Sequence, residues 1–456
     1  LHTLRILHMN YDVAIIGAGP GGTDAAEHAA AHGLQVVIFE KNKLGGVCLN
    51  EGCIPTKTLL HSAHLLSEAR EGRKYGLAIP SADYELAKVM ARKTKILKKL
   101  GAGIRLNLQN HGVEVVTETA RLVGKTSEGF QIQAGEATYT AKQVILATGS
   151  QAFVPPIPGL SEVDFWTARE ALEVSELPEE LVVLGGGVIG MEFVSLFATL
   201  GVKVTVVEML PKILGPMDSE VSEELQKSFE KRGVKFHLST KVTAVAPGKV
   251  IAEHEGEHIE IPFDKLLVSV GRRAVTEGLG LEALGVELNR GAVVVDEHLQ
   301  TNVAGLYAVG DVNGTSMLAH TAAREGQVAV HHITGVEDKM SYQAIPGIVY
   351  TDPEIAAVGR TEQELQAAGT PYEVHRVPMT LSGRFIIENE GGGGFCKLLT
   401  SPEGVILGAH LFGNGSSEIL VPAVMAVEHG MKLAELSRII FPHPTVCEII
   451  RSATLN

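Results

Sequence analysis

Two stretches of the chain repeat one order of apolar and polar positions. Each has a short apolar run, a glycine-rich loop, an apolar segment of helical length and a second apolar run that ends in an acid. The first copy covers residues 11–40 and the second covers residues 181–208. Short, nearly continuous apolar runs are typical of strands buried in a parallel sheet. The pattern therefore predicts one strand–loop–helix–strand unit that is used twice.

The remaining apolar runs predict further strands around these two copies. Residues 112–140 alternate in short strands, and residues 142–149, 266–271 and 306–310 are apolar runs that end in glycine. From Ala344 onward, short strands separated by Pro and Gly precede a helix at residues 418–429. We expect an α/β chain with two Rossmann-like dinucleotide-binding domains and a separate C-terminal α+β domain, to which the family resemblance described below assigns dimerisation. The expected segments are 9–150 and 276–343 for the first domain, 151–275 for the second and 344–456 for the third.

Composition and charge exclude several classes of protein. A chain of 456 residues with 45% apolar and 20% charged positions is long enough for roughly two to four globular domains. The net charge of −14 disfavours nucleic acid, and the basic stretch Arg92–Lys95 with Lys98 and Lys99 is interpreted as a solvated helix face. Glu192 and Lys203 interrupt the longest apolar runs, so we expect no membrane span. Four cysteines favour the cytoplasm over export, and residues 1–8 are set apart because Met9 fits a natural start better.

The glycines of the two copies have the spacing of a dinucleotide-binding loop. The copies contain Gly17, Gly19 and Gly22, and Gly185, Gly187 and Gly190. The first glycine of such a loop permits a sharp turn, the second lets the backbone approach a pyrophosphate, and the third packs helix on strand. Glu40 and Glu208 follow the last glycine by about twenty residues, where a carboxylate can accept hydrogen bonds from a ribose. Because Glu208 would repel a 2′-phosphate, the second site should prefer NAD to NADP.

Cys48 and Cys53 are five residues apart, which is too far for a disulfide within an ideal helix. A bridge would need a distorted turn, for which Asn50 and Gly52 are suitable residues. A close dithiol in a cytosolic chain is more often redox-active or metal-binding than structural, and no second ligand pair stands nearby for zinc. We therefore favour redox chemistry for Cys48 and Cys53.

Two histidine patterns leave alternatives open. His443 and Glu448 could form a base oriented by a carboxylate; spacing alone favours a structural histidine, whereas a thiol substrate would need a base. His28 and His32 have the i, i+4 spacing of metal ligands, but no third ligand is visible, so we expect no metal site. Cys396 and Cys447 are interpreted as packing residues, although Cys447 could be a sensitive thiol.

The motif of residues 45–57, Gly-Gly-Val-Cys-Leu-Asn-Glu-Gly-Cys-Ile-Pro-Thr-Lys, resembles that of the class I pyridine nucleotide–disulfide oxidoreductases, and the resemblance extends over residues 9–456. The pairs Leu49-Asn50 and Ile54-Pro55 resemble the members that oxidise dihydrolipoyl groups. Glutathione reductases usually carry Val at both apolar places, and mercuric reductases end in a cysteine pair that is absent from this sequence.

The resemblance implies a role for each matching position. Cys48 would exchange with the substrate, Cys53 would contact the flavin, and Lys57, paired to Glu192, would lie beside the flavin ring. His443 with Glu448 would be the base for the active site of the partner subunit in a homodimer. The implied FAD positions are Gly17, Gly19, Gly22, Glu40, Lys57, Ala120, Gly149, Asp311 and Ala319, and the implied NAD positions are Gly185, Gly187, Gly190, Glu208, Val242 and Gly271.

The implied activity is NAD+-dependent oxidation of dihydrolipoyl groups carried by lipoyl domains of 2-oxo acid dehydrogenase or glycine cleavage complexes. Three departures qualify the match: Phe441-Pro442 replaces a common His-Ala, Ala274 replaces a usual Pro, and residues 414–418 differ from the usual Ala-x-Glu. The first departure leaves substrate preference open. Two alternative functions remain. One is a related NAD(P)H-dependent disulfide or quinone reductase, and the other is a flavoprotein that senses partners.

Overall fold

The structure is a computed structural model that describes residues 9–455; residues 1–8, set apart above, lie outside the described residues, as does residue 456. Its helices are α1 Pro20–Ala31, α2 Gly46–Glu51, α3 Cys53–Glu71, α4 Leu86–Asn110, α5 Ala168–Ala171, α6 Val188–Thr199, α7 Ser219–Lys231, α8 Ala319–Thr334, α9 Glu362–Ala367, α10 Gly383–Glu388, α11 Ser416–Ile419, α12 Val421–Glu428, α13 Leu433–Leu436 and α14 Glu448–Ala453. Short 3₁₀ turns lie at Gly72–Tyr75, Leu160–Glu162, Glu282–Leu284, Gly310–Asn313 and Met379–Leu381. Among residues 9–455, no helix has both the length and the apolar character needed to cross a bilayer.

The strands, in chain order, are short and numerous. They are β1 Met9–Ile16, β2 Val36–Phe39, β3 Glu114–Val116, β4 Ala120–Thr126, β5 Gly129–Ala134, β6 Ala137–Leu146, β7 Ser150–Ala152, β8 Phe165–Trp166, β9 Glu180–Leu184, β10 Lys203–Val207, β11 Lys235–His237, β12 Thr240–Ala246, β13 Lys249–His254, β14 Glu257–Pro262, β15 Lys265–Val268, β16 Arg272–Ala274, β17 Leu288–Asn289, β18 Ala292–Val293, β19 Leu306–Ala308, β20 Gly347–Val349, β21 Ile355–Gly359, β22 Glu373–Pro378, β23 Phe395–Thr400 and β24 Ile406–Phe412.

The chain folds into two compact units, each built from separate segments. Of the described residues, unit 1 contains residues 9–56, 91–153 and 271–341. Unit 2 contains residues 57–90, 154–270 and 342–455. The four-segment domain division read from the sequence stays a prediction.

Unit 1 is organised by a sheet with the strand order β3-β2-β1-β6-β5-β4, in which β19 also pairs with β6. The strands β3, β2, β1, β6 and β19 run parallel, whereas β4, β5 and β6 form an antiparallel meander. Val13, Ile15 and Ile38 are fully buried, because strands covered on both sides have no solvated face. Helix α1 packs against α8 in the same unit.

Unit 2 contains a second parallel sheet with the order β11-β10-β9-β15-β8, and beside it the antiparallel sheet β12-β13-β14. Both units therefore combine a parallel sheet, a helix that follows its first strand and a three-stranded meander. The predicted strand–loop–helix–strand unit is confirmed in both places, as β1–α1–β2 and as β9–α6–β10, with element ends within two residues of the expected ones. Apolar runs followed by a glycine loop are enough to define this local topology.

The C-terminal part of unit 2 holds an antiparallel sheet in the order β20-β21-β24-β23-β22, with short helices around it. This agrees with the expected α+β arrangement. The single helix expected at residues 418–429 is wrong in detail, since α11 ends at Ile419 and α12 begins at Val421 with Pro422 in its first turn. Proline has no N–H to donate within a helix, so it favours a new helix start.

The basic stretch at residues 92–99 forms part of α4, but its interpretation as a solvated face is wrong for one residue. Lys93 is only 1% exposed, whereas Arg92, Lys95, Lys98 and Lys99 are exposed. Lys93 lies four residues after Val89 and three before Ile96, so helical periodicity sets it on the apolar stripe. The apolar stripe of α4 therefore includes Lys93, although the charge of this residue alone would predict an exposed position.

Candidate active site

The first glycine loop connects β1 to α1 in unit 1, and each glycine has a different geometric reason. Gly17 has φ +107°, and a Cβ atom there would lie 2.3 Å from the carbonyl oxygen of Ala147. A Cβ at Gly22 would lie 2.0 Å from the carbonyl oxygen of Gly17, so only glycine lets the helix pack this closely. At Gly19, the N-cap of α1, a Cβ would meet no atom within 4 Å. The loop therefore leaves open space directly at the helix N-terminus, where backbone N–H groups favour an anion.

Glu40 holds the first loop together. Its carboxylate accepts hydrogen bonds from the backbone N–H of Ala18 at 3.0 Å and of Asn42 at 2.8 Å. The remaining lone pairs of these oxygens can still accept from a ribose. The structure thus joins the predicted acid to the predicted loop.

Four more of the FAD positions implied by the resemblance lie in unit 1, whereas Lys57 belongs to unit 2. Ala120 is the buried first residue of β4, Ala319 is the first residue of α8, and Gly149 has φ +71° with open space beside its Cα. Asp311 lies in a 3₁₀ turn and accepts a hydrogen bond from the Ser150 hydroxyl, with Arg272 3.9 Å away. No residue pattern around Ser150 indicated this contact in advance, since 161 positions separate it from Asp311.

The second glycine loop, in unit 2, repeats the geometry of the first. Gly185 has φ +103°, and a Cβ there would lie 2.3 Å from the carbonyl oxygen of Ser269. A Cβ at Gly190 would lie 2.5 Å from the carbonyl oxygen of Gly185, whereas one at Gly187 would meet nothing within 4 Å. Gly187 is the N-cap of α6. In both loops, the first glycine thus has a positive φ, the second leaves open space at the helix N-cap, and the third allows close packing of the helix.

Glu208 repeats the role of Glu40. Its carboxylate accepts from the N–H of Gly186 at 2.6 Å and of Leu210 at 2.7 Å. Val242 is half-buried in β12, in the same unit, next to a β-bulge. Gly271, with φ +127° and open space beside its Cα, belongs to unit 1.

Cys48 lies on the six-residue helix α2 and Cys53 begins the 19-residue helix α3, and both side chains are half-buried. Gly52 separates the helices with φ −148° and ψ −108°, so the helical path between the two cysteines is interrupted. The Asn50 amide donates to the carbonyl oxygens of Leu44 and Gly46, which fixes the start of α2.

Helix α2 is seated on the first glycine loop. The N–H of Gly45 donates to the carbonyl oxygen of Ala18 at 2.8 Å, and a Cβ at Gly46 would lie 2.7 Å from the Cα of Gly19. Gly45 and Gly46 both have positive φ, which most residues avoid. The helix that carries Cys48 is therefore in direct contact with the loop that is predicted to bind a dinucleotide.

Lys57 and Glu192 form a bidentate ion pair in unit 2. The Nζ atom lies 2.8 and 2.7 Å from the two carboxylate oxygens of Glu192, which is almost fully buried. Glu192 also accepts from the N–H of Tyr350, and the Lys57 ammonium lies 4.5 Å from the centre of the Tyr350 ring. Sequence reasoning missed Tyr350, since a backbone donor and a ring face leave no pattern. These three residues hold a cation in one position.

His443 and Glu448 are brought together at the start of α14 in unit 2. The Nδ1 atom of His443 lies 3.0 and 3.1 Å from the two carboxylate oxygens of Glu448, and the His443 side chain is 78% exposed. Hydrogen bonds from the backbone N–H of Thr445 and from the ring of His443 lower the pKa of Glu448, so its carboxyl group stays ionised. With Nδ1 held by the carboxylate, Nε2 of this exposed ring is available to accept a proton.

Two predictions about the remaining cysteines and histidines have different outcomes. Cys396 is fully buried, and burial raises its pKa to about 12, which confirms a packing role. Cys447 is half-buried, and burial followed by the charge of Glu448 raises its pKa, so little thiolate forms at neutral pH. The expectation that His28 and His32 lack a third ligand is wrong, because His331 lies beside them. His331 is about 300 residues away along the chain, so no spacing could indicate it.

The residues at the N-termini of α1 and α6 fit the two dinucleotide cofactors. Each N-terminus has glycine where a side chain would fill the space, and each has an acid that is hydrogen-bonded to the glycine loop. The acids also disfavour a phosphate on that ribose. By fold and site, the chain is thus a two-dinucleotide α/β oxidoreductase with a cysteine pair at the first nucleotide loop.

Comparison with known proteins gives the family. Residues 11–326 match the pyridine nucleotide-disulphide oxidoreductase model, and residues 345–454 match the dimerisation domain of the same family. The chain belongs to the pyridine nucleotide-disulphide oxidoreductase family, whose cofactors here are FAD and NAD. The dimerisation domain supports a homodimer.

Several relatives are similar over nearly the full length. The chain is 39% identical to a dihydrolipoyl dehydrogenase of Rhizobium etli, with 98% of both proteins covered. It is 38% identical to a dihydrolipoyl dehydrogenase of Cupriavidus necator, with coverage of 98% of this chain and 97% of the relative. It is 37% identical to a leghemoglobin reductase of Glycine max, with coverage of 97% and 87%.

Two solved structures share the fold. LpdA from Mycobacterium tuberculosis superposes with a TM-score of 0.89 at 28% identity and covers 98% of this chain and 99% of its own. The HOCl-induced flavoprotein disulfide reductase RclA from Escherichia coli gives a TM-score of 0.86 at 28% identity, with the same coverage. The sequence-based assignment to the family is confirmed.

Proposed function

We propose that the protein is a dihydrolipoyl dehydrogenase, which oxidises protein-bound dihydrolipoyl groups to the disulfide and reduces NAD+. The observation that carries this proposal is the contact of α2 with the first glycine loop, which puts the helix of Cys48 against the expected FAD site. The names of the dihydrolipoyl dehydrogenases of Rhizobium etli and Cupriavidus necator, which are 39% and 38% identical to the chain, support the choice of substrate. FAD, when bound, supplies the two-electron carrier between thiol oxidation and hydride transfer to NAD+.

The chain's own residues account for the thiol chemistry. The partner subunit's His443, oriented by Glu448, takes the proton of a substrate thiol at Nε2. The resulting thiolate attacks Cys48 of the oxidised Cys48–Cys53 pair, so a mixed disulfide forms and Cys53 leaves as a thiolate. The sulfur of the second substrate thiol then attacks the mixed disulfide while its proton passes to Cys48, which releases the cyclic disulfide product and leaves Cys48 as a thiol.

The Lys57–Glu192 pair has a positioning role in this proposal. A bidentate contact to a buried carboxylate fixes the ammonium, and a fixed cation stabilises negative charge on a neighbouring group without reorganisation. The lipoyl domains of 2-oxo acid dehydrogenase or glycine cleavage complexes are the proposed substrate carriers. A cytoplasmic location stays a prediction from cysteine content.

A related disulfide reductase is the second candidate, because RclA shares the fold and Phe441-Pro442 departs from the common motif before His443. Two assays on the purified holoenzyme separate the candidates. We expect NADH formation from dihydrolipoamide and NAD+, and little NADPH oxidation with glutathione disulfide. Absence of dihydrolipoamide turnover would refute the proposed substrate.

A hybrid dimer tests whether His443 acts across the subunit interface. Cys48→Ser and His443→Gln homodimers should each be inactive, with FAD still bound. Random reassociation of an equal mixture makes half of the dimers hybrid, and each hybrid has one site with an intact cysteine pair and an intact histidine. We expect recovery of about a quarter of the wild-type rate.

Two controls make the hybrid result interpretable. Cys447→Ser should retain activity, which separates loss of the Cys48 thiol from a general effect of removing sulfur. Mixing Cys48→Ser with a Cys53→Ser homodimer should give no recovery, because the two changes affect the same group of one subunit. An inactive hybrid of Cys48→Ser and His443→Gln would mean that the base is not supplied by the partner.

A further inference from the structure

Three histidines converge in unit 1, away from the residues used above. His28 is in the last turn of α1, His32 is the C-cap of α1, and His331 is in the last turn of α8. His28 and His331 are half-buried and His32 is exposed. The cluster therefore joins the ends of two packed helices and is accessible to solvent.

The distances between the ring nitrogens are close to those of a metal site. The Nε2 atoms of His28 and His331 are 2.9 Å apart, and no two of the three possible ligand atoms are more than 4.8 Å apart. Two nitrogens bound to one tetrahedral zinc at about 2.05 Å lie about 3.3 Å apart. The Nε2 atoms of His28 and His331 must therefore move apart by about 0.4 Å, and neither of the nitrogen–nitrogen distances to His32 needs to shorten by more than about 1.5 Å. Rotation of the exposed His32 ring can provide the larger of these movements.

The other nitrogen of two rings is already held by an acceptor. Nδ1 of His331 lies 2.7 Å from Asp338, whose two oxygens also accept from Arg324 at 2.7 and 2.6 Å. Nδ1 of His32 lies 2.9 Å from the carbonyl oxygen of His28. An acceptor on Nδ1 keeps its proton there and leaves Nε2 unprotonated, which is the arrangement that surrounds most metal-binding histidines.

We propose that His28, His32 and His331 bind a divalent transition metal ion through Nε2, with Zn²⁺ as the best-fitting ion. Three imidazoles and no thiolate suit Zn²⁺ among the common ions, and the fourth position remains for water. Arg324 keeps the charge of Asp338 compensated, so this carboxylate acts on the ion through His331. The bound ion would tie α1 to α8 and stabilise unit 1.

The test is a titration of Zn²⁺ into chelator-treated, FAD-loaded enzyme, in which isothermal titration calorimetry measures the binding. A Cys48→Ser, Cys53→Ser background removes thiols that could bind Zn²⁺ by themselves. We expect one ion per chain and a higher Tm with Zn²⁺. His331→Asn and His32→Ala should each weaken binding by at least about 100-fold, and Asp338→Asn by about 10- to 100-fold.

Two other histidines give matched controls. His111 has the same Nδ1 contact as His32, to the carbonyl oxygen four residues earlier at the end of a helix. His332 is adjacent to His331, but its Nδ1 faces the Tyr307 hydroxyl. Zn²⁺ affinity and the Tm rise should be unchanged in His111→Ala and His332→Asn. Either no saturable binding to the parent protein, or equal binding to a His32→Ala, His331→Asn double variant, would overturn the proposal and leave a metal-free hydrogen-bonded cluster.

Discussion

At the residue scale, Glu40 and Glu208, the acids that follow the second strand of each copy, make backbone hydrogen bonds that their sequence position does not predict. Glu40 and Glu208 each accept one backbone N–H from the glycine loop and one from the residue two positions after the acid. A carboxylate with these contacts is already fixed in place for the ribose contact that we predict. Preorganisation of this kind lowers the entropic cost of binding.

We expect Glu208→Ala to weaken NADH binding by roughly 10- to 100-fold, since a hydrogen bond to a charged group contributes about 1.5–3 kcal/mol. NADPH binding should change less, because the same substitution removes repulsion of the 2′-phosphate. Fluorescence titration of the holoenzyme with both nucleotides measures this difference. Equal weakening of both would show that Glu208 acts only through the loop.

His64, on α3 in unit 2, gives a stability prediction. Its ring lies 3.6 Å from Asp352 and 3.2 Å from Glu68. The contact with Asp352 raises the pKa of His64, with burial opposing and the charges of Asp352, Glu68 and Glu354 adding to the rise. A raised folded-state pKa means that folding is favoured most when the ring is protonated.

The contribution of His64 is therefore fully present below its unfolded pKa of about 6.5 and is lost as pH rises through the higher folded-state pKa. The Tm difference between the wild-type protein and His64→Gln should be larger at about pH 6 than at about pH 8.5. His61→Gln, an exposed change on the same helix, is the control. A difference independent of pH would contradict this assignment.

At the element scale, the glycine loops explain why similar residues respond differently to the same substitution. Gly22→Ala would put a methyl group 2.0 Å from the Gly17 carbonyl oxygen, whereas Gly19→Ala would meet nothing in the protein. The first change conflicts with helix packing, and the second occupies open space in which we expect the FAD pyrophosphate to bind.

We expect Gly22→Ala to reduce the yield and Tm of the folded protein even without cofactor. Gly19→Ala should fold normally and lose FAD affinity. Circular dichroism melts of the apoprotein, together with the flavin content of the purified protein, distinguish the two outcomes. The pair Gly190→Ala and Gly187→Ala should behave in the same way toward NADH, and similar behaviour of both members of a pair would refute this explanation.

At the scale of the whole molecule, exposed apolar side chains are frequent in the segment that matches the dimerisation domain. Ile440 is 94% exposed, and Ile387, Val421, Met425 and Leu381 are each more than half exposed. Several exposed apolar side chains in one domain indicate a protein interface. This agrees with the homodimer that the family match supports.

We expect Ile440→Glu to shift the protein toward monomer in analytical ultracentrifugation, since burying a carboxylate at an interface is unfavourable. Dihydrolipoamide turnover should fall with the dimer fraction, because Ile440 is close in sequence to His443, the proposed base for the partner subunit. Leu288→Glu, an exposed change outside the dimerisation match, is the control. An unchanged dimer would exclude Ile440 from the interface.

Much of this molecule follows from local sequence. The strand–loop–helix–strand unit, its glycines and its acid are all set by residues within about 30 positions of each other, because turn geometry and burial are local properties. The pairing of His443 with Glu448 and the helix break between Cys48 and Cys53 are equally local. The pattern alone predicted the strand–loop–helix–strand unit, whereas it left the role of His443 open and required a turn between the cysteines only if they form a bridge.

Other features depended on tertiary structure. The Ser150 hydroxyl reaches Asp311, Tyr350 completes the setting of Lys57 and Glu192, and His331 joins His28 and His32. Lys93 was misjudged for a related reason, since periodicity puts it on a face whose burial depends on what packs there. Sequence spacing carries no information about contacts between segments hundreds of residues apart, because only chain folding brings those segments together.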